Sequence, residues 1–158
     1  MSCDAVAFSA MLWLASTSIT AAPPPSGAPA ISAPHSVAGE PLFADIVRRA
    51  QRLKAQSVAM GKGGLDGDIA SLPTYSAFKA GIAELADLDM KGHVTLAARG
   101  TDGDLKCILK GISQDLPLKL HALETAADAK ARASALRDMA YLLNDNVEVI
   151  TSPPIPTV

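Results

Sequence analysis

The sequence predicts an all-α fold: a four-helix up-down-up-down bundle, preceded by a signal-like segment and a Pro/Ala-rich tether. Two patterns and one absence carry that expectation. Apolar residues recur at three-and-four spacing in four segments between Pro41 and Ile150, the signature of helices with one face turned inward. Charge is unevenly placed, Asp4 being the one charged side chain in the first 39 residues. No run of useful length alternates apolar and polar residues as a strand does.

From Val6 to Ile19 the chain is apolar, and small residues follow at Thr20, Ala21 and Ala22. A membrane span takes about 20 apolar residues. This shorter run reads as the core of an export signal, which makes 1–21 a signal-peptide-like segment. Its start lacks Lys and Arg, and Pro23 disfavours a cut directly after Ala22, so cleavage after Ala21 fits better. Cys3 precedes the apolar run and is therefore no lipoprotein acylation site. Residues 22–39 are dominated by Pro, Ala, Ser and Gly, a composition that stays extended and solvated, so a disordered tether is expected there. His35 lies in it as a solvated side chain. The bundle should occupy 40–150, with a disordered tail at 151–158. The expected location is periplasmic or secreted, without stable membrane insertion after processing.

The first helix is expected from Pro41, a residue suited to the first helical position, to Met60. Its inner stripe is Phe43, Ile46, Val47, Ala50, Leu53, Ser57 and Met60, and Gly61, Gly63 and Gly64 end it. Thr74, just after Pro73, should cap a second helix that runs to Arg99 with Gly100 as its stop. Tyr75, Phe78, Ile82, Leu85 and Leu96 mark its buried side. Asp104 starts a third helix carrying Leu105, Ile108, Leu109, Ile112, Leu116, Leu120 and Leu123, which Pro117 interrupts or kinks. The fourth runs from about Asp128 to Asn144 with Ala129, Ala133, Leu136, Ala140 and Leu143 inward; Val147 and Ile150 extend the register before Pro153 and Pro154 stop it. The repeated Asp-Gly-Asp at 66–68 and 102–104 reads as helix-start punctuation, since a calcium loop needs more oxygen ligands and a closing Glu.

A formal net charge of −2 and a pI near 5.9 give no long-range attraction to nucleic acid. Arg48, Arg49, Arg52 and Lys54 spread around an outward face. Two cysteines are present; a processed chain would keep Cys107 alone, leaving stability to packing. No Ser–His–Asp or Cys–His set is visible, and no cofactor motif.

Asp89 and His93 form the sharpest pair, four residues apart on one helical face. Buried together, they would need a partner, a metal or a function, which makes them the metal-ligand candidates. The preferred placement is different: beyond Leu85 the stripe drifts to Leu88, Gly92 and Leu96, Asp89 moves to the edge, His93 to water, and Gly92 becomes a close-contact point. Cys107 projects away from Ile112 on the helical wheel, and His121 lies four turns further along. A His93, Cys107 and His121 zinc site is therefore not expected. Cys107, Lys110, Gln114 and His121, with Gly111 and Leu118 between them, instead define a candidate interface strip.

The segment Cys107-Ile108-Leu109-Lys110-Gly111 resembles the His-x-Leu-Lys-Gly core of histidine phosphotransfer domains. Cys107 stands where that family carries its phosphorylated His, so phosphotransfer is not implied. The run from Asp115 to Asn146 is faintly similar to soluble cytochrome b562, but the fourth helix contains no His and no C-x-x-C-H site exists. The sequence thus points to a non-enzymatic protein without a cofactor. It would act by protein–protein binding in the bacterial envelope as an accessory, inhibitor or immunity-type partner, or as a homo-oligomer. The alternative is a metal- or small-molecule-binding bundle using Asp89 and His93.

Overall fold

The computed structural model describes residues 36–63, 65–100 and 104–152. The signal-like segment, His35 and the rest of the tether before Ser36, Asp102, and the tail from Pro153 onward lie outside the described residues. Within them the protein is all-helical: four α-helices, two short 3-10 turns and no strand. The helices are α1 (Pro41–Gly61), α2 (Tyr75–Ala98), α3 (Leu105–Glu124) and α4 (Ala129–Thr151).

Two of the four helices begin where the sequence supplies a clear reason. Pro41 opens α1 at the position whose N–H has no intrahelical partner. Asp128 is extended and its Oδ1 accepts a 2.8 Å hydrogen bond from the Ala131 amide, capping α4. Asp68 caps a 3-10 turn at Ile69–Ser71 in the same way, accepting from the Ala70 amide at 3.0 Å, so the first Asp-Gly-Asp does punctuate a helical start. Thr74 and Asp104 occupy the cap positions of α2 and α3 without a side-chain cap bond. After α2, Gly100 adopts φ +63°, the left-handed turn that glycine makes at no steric cost.

α1 packs most extensively on α4 and α2 on α3, with further contact between α3 and α4 and between α1 and α2. Leu53, Phe78, Leu116 and Leu143, one from each helix, are among the residues that meet in a single core. The inner face of α1 is as expected except that Val47 is half-buried. On α4 the buried line is Ala135, Leu136, Met139, Leu143, Asn146 and Ile150. Ala129, Ala133, Ala140 and Val147 flank it, half-buried, instead of sharing its centre.

Two local outcomes differ from expectation. Pro117 does not interrupt α3, which is continuous from Leu105 to Glu124. Leu116 and Leu120 on either side of it are buried, and tertiary packing of that kind outweighs the one hydrogen bond a proline removes. Ser36 accepts a 3.3 Å bond from the Ala38 amide and caps a 3-10 turn at Val37–Gly39. Val37 and Ala38 pack against the core, so ordered structure begins before residue 40.

Candidate functional site: a polar pair in the core

The inner line of α2 runs Tyr75, Phe78, Ile82 and Leu85, and the same three-and-four progression continues to Asp89, Gly92 and Leu96. Asp89 therefore occupies a core position and is fully buried. That corrects the expectation that it would move to the edge. Four apolar positions before it fix the rotation of α2, and one carboxyl cannot turn a helix of 24 residues around. The expectation for Gly92 holds: a β-carbon there would sit 3.0 Å from Leu109 Cδ1, 3.4 Å from Phe43 Cε1 and 3.5 Å from Ile46 Cδ1. α1 and α3 approach α2 here because residue 92 has no side chain.

Asn146 occupies the equivalent slot on α4, between Leu143 and Ile150, and is also fully buried. Its Nδ2 donates a 2.7 Å hydrogen bond to Asp89 Oδ2. The bond joins two helices outside the four principal pairings, so it spans the core. Asp89 Oδ1 and Asn146 Oδ1, both buried, have no hydrogen-bond partner, and Ser57 Oγ on α1 is a third such atom. Burial pushes the Asp89 carboxyl up to about 8, with the Asn146 hydrogen bond opposing it. A carboxylate in such a place would carry a large desolvation cost, and taking up a proton avoids it.

His93 is placed apart from this pair in its bonding. It is half-buried and its Nδ1 lies 2.6 Å from the Lys106 carbonyl oxygen. The carbonyl can only accept, so Nδ1 carries the proton and ties α2 to the first turn of α3. Asp89 and His93 share a helix and have different partners. Among the described residues no group of three or more His, Cys, Asp or Glu side chains is arranged to hold a metal ion.

The candidate interface strip lies along α3. Cys107 and Lys110 are half-buried, while Gln114 and His121 are exposed. Leu118 between them is 64% exposed, high for a large apolar side chain. Cys107 is not a free thiol among the described residues. An apolar cleft of about 320 Å³ lies elsewhere, between the end of α1 and the start of α2; Met60, Leu72, Pro73 and Phe78 line it with no titratable side chain.

Asn146 is the site residue that sequence reasoning missed. Its signal was present, because 143, 146 and 150 continue the spacing of Leu136, Met139 and Leu143, but a polar residue is passed over when a stripe is read from apolar ones. Fold and site together define an all-α, four-helix protein with a polar pair inside. No family model matches the chain, and neither a curated protein nor a solved structure matches it.

Proposed function

We propose that this is an exported, non-enzymatic helical-bundle protein that works by binding another protein in the bacterial envelope, as an accessory, inhibitor or immunity-type partner. The observation that carries the reading is the outer strip of α3. Gln114, Leu118 and His121 follow one another at four and three residues and are open to solvent, with Leu118 mostly exposed. A polar frame around an exposed leucine is the composition of a surface that a partner can cover. Export is supported by the composition break between the nearly uncharged first 39 residues and the charged remainder. No helix among the described residues is long and apolar enough to cross a membrane.

The up-down-up-down arrangement belongs to the same reading. Position 92 late in α2 faces Phe43 and Ile46 early in α1, while position 81 faces Leu53. His93 bonds Lys106, and Tyr75 bonds Glu124 at the opposite ends of α2 and α3.

Photo-crosslinking in the native host tests the interface. A crosslinker at position 114 or 118 should capture a discrete adduct from envelope fractions, and one at the exposed Val58 of α1 should not. Equal labelling at all three positions would remove the α3 strip as an interface. Intact-mass measurement of the fractionated protein tests export separately: a full-length species confined to the cytoplasm contradicts it.

A further inference from the structure

We infer that Asp89 and Asn146 form a neutral acid–amide ring, closed by a single proton, which ties α2 to α4 across the core and opens when that proton leaves. The inference begins with which atoms are satisfied. Asn146 Nδ2 donates to Asp89 Oδ2 at 2.7 Å. What remains is one carboxyl oxygen and one amide oxygen, Asp89 Oδ1 and Asn146 Oδ1, each buried and each without a partner. In the ionised form both are acceptors and can only repel. Asn and Asp are planar groups with two adjacent polar atoms each, so the ring requires them to meet edge to edge with the two remaining oxygens adjacent. A proton on Asp89 Oδ1 converts that oxygen to a donor and supplies the missing second bond to Asn146 Oδ1. Both orphaned atoms are satisfied by the same proton, and no charge is left in the core.

The surroundings support the neutral form. Burial favours the protonated Asp89 and outweighs the Asn146 bond, which opposes it, and no charged group acts on the proton. Several charged side chains on the packed helices are paired or exposed. On α1, Arg49 pairs with Asp45 and Glu84, and Lys54 donates to Asn144. On α2, Asp87 and Lys91 are exposed and His93 bonds the Lys106 carbonyl. On α3, Asp115 is exposed, while Lys106 and Lys110 are half-buried. On α4, Glu148 accepts from Asn144, and Asp145 is half-buried with its own carboxyl raised by burial and by Glu148.

Opening is a plain acid dissociation. The O–H bond of Asp89 breaks, the proton passes to water or hydroxide, and a carboxylate oxygen is left facing the amide oxygen. The folded carboxyl titrates near 8 against 3.8 for the free group, so between those values the folded state holds a proton that the unfolded chain has lost. Stability then falls as pH rises through that window and levels off above it. The ring is complete in acid and neutral conditions and loses its second bond in alkali, where only the Asn146 Nδ2 bond to Asp89 Oδ2 remains.

Denaturant unfolding of wild type and Asp89→Asn from about pH 4 to pH 9.5 tests the inference. An amide at 89 can give and receive the same two bonds without a proton, so the variant keeps the ring and loses its pH dependence. The midpoint of wild type should fall relative to the variant from about pH 4 to about pH 8 and then run parallel, with Asp145 and every other group cancelling in the difference. Parallel curves throughout would overturn the ring. In wild type itself, the Asp89 side-chain carboxyl carbon followed by NMR should report the protonated acid at pH 6 and titrate near 8. An ionised Asp89 at pH 6 would overturn the inference, and this titration decides alone if Asp89→Asn fails to fold.

Discussion

Leu109 Cδ1 lies 3.0 Å from where a β-carbon on Gly92 would stand, so the close approach of α2 and α3 at this level depends on one absent methyl group. Phe43 and Ile46, which also border the position, are fully buried and have little room to retreat. A bulky residue at 92 must therefore displace core side chains. Gly92→Val should cost ~1–3 kcal/mol by overpacking. Gly111 on α3 is the control, since nothing lies within 4 Å of its β-carbon position, and Gly111→Ala should add ~0.5–1 kcal/mol through the unfolded chain and helix propensity. Urea melts of the two variants should move in opposite directions.

Leu136 is 2% exposed at the centre of the α4 line. Leu136→Ala should lower stability by ~2–5 kcal/mol, the transfer term plus the cavity left behind. The exposed Val58 offers a comparison: Val58→Ala should stay within about 0.5 kcal/mol of wild type, as surface changes do. Thermal melts that fail to separate the two would mean the inner face of α4 is assigned wrongly.

Glu124 joins two helices by accepting from Tyr75 Oη at 2.8 Å and from Lys79 Nζ at 2.6 Å. Those two partners hold its carboxyl below the usual range, so its contribution is present above the ordinary glutamate pKa and lost as pH falls through the lowered one. The pair with Lys79 is open to solvent and adds little. Tyr75 is buried, and burial followed by the Glu124 hydrogen bond pushes its phenol up. Tyr75→Phe removes that bond and should cost ~0.5–1.5 kcal/mol, with the loss shrinking in acid as Glu124 takes up a proton. A pH-independent difference between the two proteins would show that the hydroxyl matters for some other reason.

Asp128 Oδ1 accepts from the Ala131 amide at 2.8 Å, satisfying one donor that the start of α4 leaves open. Asp128→Ala should cost ~0.5–2 kcal/mol, and Asp128→Ser should recover most of it. Circular dichroism melts would reveal whether rescue follows the cap.

Leu118→Lys on the outer face of α3 should leave unfolding within about 0.5 kcal/mol of wild type, because the side chain contributes little buried area. It should also abolish capture of a partner by a crosslinker at 114. A variant that folds normally and crosslinks as before would separate Leu118 from any interface.

Much of this protein was written in its sequence. The spacing of Phe43, Ile46, Ala50 and Leu53, or of Leu109, Ile112, Leu116 and Leu120, is enough to define a helix and its inward face, because burial of apolar surface is read along one chain segment at a time. Helix starts at Pro41 and Asp128 are equally local, and so is the left-handed turn at Gly100. What the sequence could not settle is how faces meet. Asp89 is expected at the edge because the stripe can drift beyond Leu85 to Leu88, Gly92 and Leu96, yet the apolar residues before it hold α2 in an orientation that carries it inside. Asn146, 57 residues away, was invisible as its partner. Pro117 looked like a break until Leu116 and Leu120 were seen locked into the core. Local spacing assigns a face to each residue, but the energy of a polar group depends on its neighbours from other helices, and those neighbours exist only once the chain has packed.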